Sequence, residues 1–303
     1  MEAQVKEQIL KLKKEKNAVI LAHYYAPSEV QEIADHVGDS FYLAKVAKNS
    51  AADIIVFAGV YFMGESAKIL NPDKKVLMPS LSADCPMAHM VAKGRIEEMR
   101  EKYDDLAVVC YINSTAELKA KSDVCVTSSN AVAIVKALPN KNIFFIPDKN
   151  LGRFVAKEVP EKNIIINDGY CPIHAGISHE ELCEERSAHP TAPVLSHPEC
   201  EDAILAVSDF VGSTAEIIDY AKRSDASEFI ICTEDGVYHK LHQDNPEKRF
   251  YFPRTRPCCQ DMKLNTPDAI LDVLRTGRNE VHLNEELSGA ALLPLEKMLL
   301  LAR

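Results

Sequence analysis

The chain of 303 residues contains no tryptophan and only 11 glycines. No Gly/Ser-rich stretch divides it, so the sequence predicts one compact body rather than modules on flexible tethers. No run of about 18 apolar residues occurs, which excludes a membrane-spanning helix. The opening segment MEAQVKEQILKLKKEKN has neither the apolar core nor the small-residue cleavage site of a secretory leader. Its Val5, Ile9 and Leu12 fall at helical spacing and predict an amphipathic helix. A cytoplasmic protein is therefore expected. A basic excess is missing as well. The net charge of −10 argues against general nucleic-acid binding, which needs a cationic surface. It leaves room for a small anionic substrate in a local site.

Local cysteine motifs are also missing. The nine cysteines stand at 85, 110, 125, 171, 183, 200, 232, 258 and 259, with no C-x-x-C pair. In a cytoplasmic chain of this length that spacing argues against a disulfide framework, and most of them read as small buried hydrophobes.

What the sequence does contain is repetition. PDKKVLMP (72–79), PEKNIIIN (160–167) and PEKRFYFP (246–253) share Pro, an acid, Lys and a short apolar strand. VGDS (37–40), VTSS (126–129) and VGST (211–214) form a second set upstream, and VILAHYY (19–25), VVCYINS (108–114) and PVLSHPE (193–199) a third. Three signals in one order indicate three copies of one unit. His23, Tyr111 and His197 close the first strand of each copy, 14, 15 and 14 residues before the Val of the second motif. From that Val to a cysteine is 48 residues to Cys85, 45 to Cys171 and 48 to Cys259. Cys258, the neighbour of Cys259, misses the spacing by one.

Short β-branched, apolar runs at 18–23, 53–59, 75–79, 106–112, 142–146, 163–166, 192–196 and 228–232 suit parallel strands buried on both faces. Helical stretches lie between them. Ser28 with Gln31, and Ser213 with Glu216, read as capping boxes. The expected fold is α/β: three repeated three-layer α/β/α subdomains around a pseudo-threefold axis, with parallel sheets and the active site at the central junction. The expected divisions are 1–91 with the N-terminal helix, 92–180, and 181–303 with a C-terminal helical segment.

In such folds ligands bind beyond the carboxyl ends of the strands. Helix starts at Asp39-Ser40, Ser128-Ser129 and Ser213-Thr214 would present free N–H groups there, a composite site for carboxylate or phosphate. The last strand of each unit ends near Cys85, Cys171 and Cys259, so the axis would bring three thiolates together. Three thiolates suit an iron–sulfur cluster or zinc.

These residues carry a resemblance to the quinolinate synthases, iron–sulfur enzymes of de novo NAD biosynthesis. It covers nearly the whole chain, through LAHYYAPSEVQEIADHVGDS (21–40), IVFAGVYFMGESAKILNP (55–72), YINSTAELKAKSD (111–123), VTSSNA (126–131), HPEC (197–200), DFVGSTAEI (209–217) and CQDMK (259–263). The resemblance implies condensation of iminoaspartate with dihydroxyacetone phosphate, loss of phosphate and two waters, and formation of quinolinate. It implies a [4Fe–4S] cluster on Cys85, Cys171 and Cys259 with one open iron. The motif Cys-x-x-Met-Lys again selects Cys259. His23 and Tyr25 match the family's His-x-Tyr, Tyr111 and Asn113 its Tyr-x-Asn, and His197 and Glu199 its His-x-Glu. Substrate contact and proton transfer are implied for these. Asp39 stands beside the matching helix-start residues Ser40, Ser128, Ser213 and Thr214, and Ser129 follows Ser128. His174 also matches a common family position. A supplier of iminoaspartate, an aspartate oxidase or aspartate dehydrogenase, is the implied partner.

There are departures. Asn167-Asp168-Gly169-Tyr170-Cys171 replaces the family's Trp-x-Gly-x-Cys, His89 stands where Asp is common, and Cys258 is extra. Two other readings fit three gathered cysteines. One is a resemblance to the diphthamide-forming radical enzymes. The other is a non-catalytic metal-binding or redox-sensing protein.

Overall fold

In a computed structural model describing residues 3–302, three four-stranded sheets share one strand order. The first is β2-β1-β3-β4, from β1 (Ala18–His23), β2 (His36–Gly38), β3 (Ile54–Ala58) and β4 (Lys75–Leu77). The second is β6-β5-β7-β8, from β5 (Leu106–Tyr111), β6 (Val124–Val126), β7 (Asn142–Ile146) and β8 (Asn163–Ile166). The third is β10-β9-β11-β12, from β9 (Val194–Ser196), β10 (Phe210–Val211), β11 (Glu228–Cys232) and β12 (Arg249–Tyr251). Every pairing within these sheets is parallel. The α/β fold of three repeated units is as expected. Reversal of strand order beside the first strand of each sheet leaves the crevice where ligands settle in doubly wound folds.

The repeated motifs have physical causes. Asp35, Asp123 and Asp209 precede β2, β6 and β10. Each carboxylate accepts the backbone N–H of a first-strand residue: Ile20 at 2.8 Å, Val108 at 2.7 Å and Val194 at 2.8 Å. Each Asp thereby locks the second strand to the first. The lysine of each Pro-acid-Lys motif caps a helix. Lys248 Nζ donates to the Ala221 and Ser224 carbonyls at 2.7 and 2.6 Å, at the end of the helix Thr214–Arg223. Lys74 reaches the Ser50 carbonyl and Lys162 the Leu138 carbonyl in the same way, closing the helices Ser40–Asn49 and Ala131–Ala137. A cation there also suits the negative end of the helix dipole.

The core follows the sheets. One apolar cluster joins the first two units through Phe57, Phe62, Phe144 and Phe145, and two more cover the third sheet. The N-terminal helix Ala3–Glu15 buries Ile9 against the first sheet, with Val5 and Leu12 beside it. The last two helices return to earlier units. Pro267–Thr276 packs on the N-terminal helix and β3, while Glu285–Leu301 packs on β6 and on helices of the first two units. No helix among the described residues is long and apolar enough to cross a membrane.

Four expectations are corrected. β2, β6 and β10 are additional strands, two or three residues long, where the sequence signalled only a motif. Their shortness hides any alternation. Ser28 and Gln31 form no capping box: the helix Ser28–Gln31 starts after Pro27 without a side-chain cap. Buried Gln31 instead donates to the carbonyls of Tyr24, Ala26 and Gly236, where three acceptors outbid one helix end. Ser128 and Ser129 precede their helix rather than start it. Asn130 Oδ1 accepts the Thr127 N–H at 2.7 Å, closing a turn first. The three cysteines lie in the loops beyond β4, β8 and β12 rather than at the strand ends. There Cys85, Cys171 and Cys259 stand immediately before the short helices Pro86–His89, Pro172–Ala175 and Gln260–Lys263. The Ser213 capping box is formed as read, with both of its hydrogen bonds.

Candidate active site

The carboxyl ends of β1, β5 and β9 deliver His23, Tyr111 and His197 to one cavity. Tyr25, Asn113 and Glu199, each two residues further on, line it too. So do Asp39, Ser40, Ser128 and Thr214 from the segments after β2, β6 and β10. Cys85, Cys171 and Cys259 contribute one thiol from each unit. Ser129 and Ser213 face a neighbouring outer pocket, which shares Asp39 with the cavity. Ser213 is engaged as a helix cap, and Ser129 Oγ pairs with Thr127 Oγ1 at 2.9 Å.

One local device sets both imidazoles. The Tyr25 N–H donates to His23 Nδ1 at 3.1 Å, and the Glu199 N–H donates to His197 Nδ1 at 3.3 Å. A neutral ring that accepts at Nδ1 carries its proton on Nε2. Burial pushes both histidines down to about 3, against the pull of Glu199. Near pH 7 both rings are neutral Nε2–H donors.

A hydrogen-bonded chain crosses all three units. Tyr25 Oη lies 2.6 Å from Thr214 Oγ1 and 2.9 Å from Thr233 Oγ1. Thr233 Oγ1 lies 2.9 Å from His174 Nε2, and His174 Nδ1 lies 2.8 Å from Glu199 Oε2. Burial alone would raise the Glu199 pKa, but His174, 2.8 Å from it, holds the carboxyl below the usual range. Burial pushes the Tyr25 and Tyr111 phenols well above theirs. The arrangement therefore pairs an ionised carboxylate with a protonated phenol, a division suited to acid and base work. Glu199 Oε1 and Asn113 Oδ1 are buried without a hydrogen-bond partner, two polar atoms ready for a bound group.

Cys85, Cys171 and Cys259 each occupy the N-cap position of a short helix without a side-chain cap hydrogen bond. Burial raises Cys85 to about 12, Cys171 well above its ordinary value and Cys259 to about 11. The pocket as folded thus favours thiols, and metal binding there displaces protons. Among the described residues, these three sulfurs do not form a trio within 4.8 Å of one another. A single tetrahedral zinc would hold its thiolates about 3.8 Å apart, from Zn–S bonds of about 2.3 Å. As a donor set, three thiols from three units suit an iron–sulfur cluster as well as zinc. Cys171, His174 and Glu199 do meet the tighter limit, but hydrogen bonds already join them: His174 Nδ1 lies 3.2 Å from Cys171 Sγ and 2.8 Å from Glu199.

Among the described residues, no lysine or arginine lines the cavity. Lys263, the nearby cation, is held by Glu234 at 2.8 Å and Asp235 at 3.2 Å, and donates to the Tyr25 carbonyl at 2.9 Å.

Sequence reasoning missed Thr233 and could not separate a role for His174 from packing. Thr233 stands where the other units have Gly59 and Pro147, so the repeat gave no signal. The departures find partners: His89 Nε2 lies 2.7 Å from Asp84 Oδ2, and Lys149 Nζ stands 5.0 Å over the exposed Tyr170 ring.

A cavity that gathers an ionised carboxylate, protonated phenols, imidazoles and three thiols suits the site of an enzyme. The comparisons specify which kind. Residues 7–300 match the family described as quinolinate synthetase A protein (NadA). A quinolinate synthase of Fusobacterium nucleatum is 55% identical over 98% of this chain and 99% of its own length. Those of Caldicellulosiruptor saccharolyticus and Clostridioides difficile are 50% and 48% identical, over 97% and 98% of this chain and 97% and 98% of their own lengths. The chain belongs to the quinolinate synthetase A family.

Proposed function

We propose that the chain condenses iminoaspartate with dihydroxyacetone phosphate, releasing phosphate and water, to give quinolinate. The observation that carries this reading is the union in one cavity of three thiols with Glu199, Tyr25, His23 and His197. Cys85, Cys171 and Cys259 would hold a [4Fe–4S] cluster. When bound, the cluster supplies an open iron that polarises a carboxylate or hydroxyl.

The chain's own residues account for the remaining work. The Nε2–H groups of His23 and His197 donate to substrate oxygens. Asn113 Oδ1 accepts a hydrogen bond from an amine or hydroxyl group of the substrate. Ionised Glu199 takes a proton at its free Oε1 as carbanion or enol character develops, and the Tyr25 phenol returns one to a departing hydroxyl. Thr233 and His174 connect those two groups, so a proton gained at Glu199 can be restored at Tyr25 through hydrogen-bonded atoms. Tyr111, beside Glu199, completes the wall. Ser40, Ser128 and Thr214 bind carboxylate and phosphate with hydroxyls and adjacent N–H groups, and Asp39, Ser129 and Ser213 stand on their outer side. A separate aspartate-oxidising enzyme supplies iminoaspartate, and the reaction takes place in the cytoplasm.

The test is anaerobic purification, then iron, sulfide and product analysis. About four irons and four sulfides per chain, with quinolinate formed from the two substrates, is the expected result. Zinc in place of iron, or a cluster without quinolinate, would overturn the proposal.

A further inference from the structure

The three cysteines share a feature that the proposed chemistry does not use: a carboxylate accepts the backbone N–H of each. Asp84 Oδ1 takes the Cys85 N–H at 2.7 Å, Asp148 Oδ2 the Cys171 N–H at 3.0 Å, and Glu234 Oε1 the Cys259 N–H at 3.0 Å. Asp148 and Glu234 occupy equivalent places, two residues past the ends of β7 and β11. The first unit has Val60 at that place after β3, and the acceptor there comes from the cysteine's own loop.

Both equivalent carboxylates are buried, Asp148 at 0% exposure and Glu234 at 1%. Burying an anion beside a site that gathers thiolates and anionic substrates is unfavourable unless its oxygens are well occupied. Each spends its other oxygen on the strand-end turn: Asp148 Oδ1 accepts the Leu151 N–H at 2.6 Å, and Glu234 Oε2 accepts the Gly236 N–H at 2.7 Å. Each side chain is thus a brace between a rigid strand end and the loop that presents a cysteine. Asp148 does not line the cavity.

We infer that Asp148 and Glu234 are positioning residues that anchor Cys171 and Cys259 through their backbone N–H groups and so determine how firmly the chain retains its cluster. This rests on the cluster assignment above. An N–H left without its acceptor frees the loop to turn the thiol away from its iron. Loss of such supporting contacts weakens metal retention by about 10- to 100-fold in general.

The experiment measures iron loss to a chelator from reconstituted protein, together with thermal unfolding of the metal-free chain. Asp148→Ala and Glu234→Ala should release iron about 10- to 100-fold faster than the parent. Asp148→Asn keeps one acceptor oxygen for two N–H groups, Cys171 and Leu151, so its release rate should lie between those of the parent and Asp148→Ala. Asp209→Ala is the control. It removes a carboxylate-to-backbone brace of the same kind, distant from any cysteine of the site, and should lower the unfolding temperature without hastening iron loss. Release at the parent's rate from both alanine variants overturns the inference. So does iron loss that tracks unfolding temperature across all variants, Asp209→Ala included. If Asp148→Ala does not fold, Glu234→Ala and Asp148→Asn decide the matter. A parent chain that takes up no iron refutes the cluster assignment itself, a result distinct from equal release rates.

Discussion

Thr233→Val isolates the proton path from the cavity wall. Thr233 is fully buried and does not line the cavity, so it cannot touch substrate. Its hydroxyl bridges Tyr25 and His174, at 2.9 Å to each. Valine keeps the shape and removes that bridge. Tyr25 retains Thr214, whereas His174 Nε2 loses the partner shown for it. A buried polar group left without a partner costs about 1–3 kcal/mol, so unfolding free energy should fall by about that amount. Acid–base groups contribute roughly 10²–10⁴ to rate. A variant that leaves both groups present but uncoupled should forfeit part of this, about 10- to 100-fold in kcat. KM should hardly move, because no wall residue has changed. The assay is steady-state quinolinate formation by anaerobically reconstituted protein of matched iron content, with Thr233→Ser as the rescue. A Thr233→Val enzyme with the parent's kcat, or a serine variant as slow as valine, would refute the relay.

Three further outcomes follow from the same geometry. Cys259→Ala should abolish iron binding and Cys258→Ala should leave it largely intact, since Cys259 lines the cavity and Cys258 does not; iron analysis of both variants checks this. Gly236→Ala places a Cβ 2.8 Å from both Tyr25 Cα and Glu234 Oε2, so it should lower kcat by up to about 100-fold through displacement of the phenol and should also hasten iron loss through Glu234; steady-state rates and iron release measure the two effects. His23 and His197 are lowered to about 3 in the folded chain from an ordinary 6.5, so between those values the unfolded chain binds more protons. Stability should therefore hold above pH 6.5 and fall as the pH drops below it, with a slope approaching about 2.7 kcal/mol per pH unit for the two groups. Urea midpoints of the metal-free chain at pH 7.5 and pH 5.5 measure this, and equal midpoints would contradict neutral burial.

Much of this architecture was legible because it is written three times. Spacing alone selected Cys259 over Cys258 and aligned His23, Tyr111 and His197. Identical strand orders explain why: equal numbers of residues span equal distances in equivalent units. The parts that stayed hidden belong to one unit only, or depend on contacts far apart in sequence. Thr233 has Pro147 and Gly59 as counterparts, so nothing repeated marked it. Gln31 resembled a capping partner within its own segment, yet the Gly236 carbonyl that helps to hold it is 205 residues away. The acceptors Asp148 and Glu234 carried a faint signal, an acid two residues after the third strand of a unit. Val60 interrupts it in the first.

The division of the cysteines among three units bears on how the protein is made. Cys85 and Cys171 leave the ribosome well before Cys259, and a nascent chain lacking its last third can offer two of the three thiols at most. On the proposed assignment, insertion of the cluster would follow synthesis of nearly the whole polypeptide, and the interval before delivery of iron and sulfide would be when oxidants have their best access to those sulfurs.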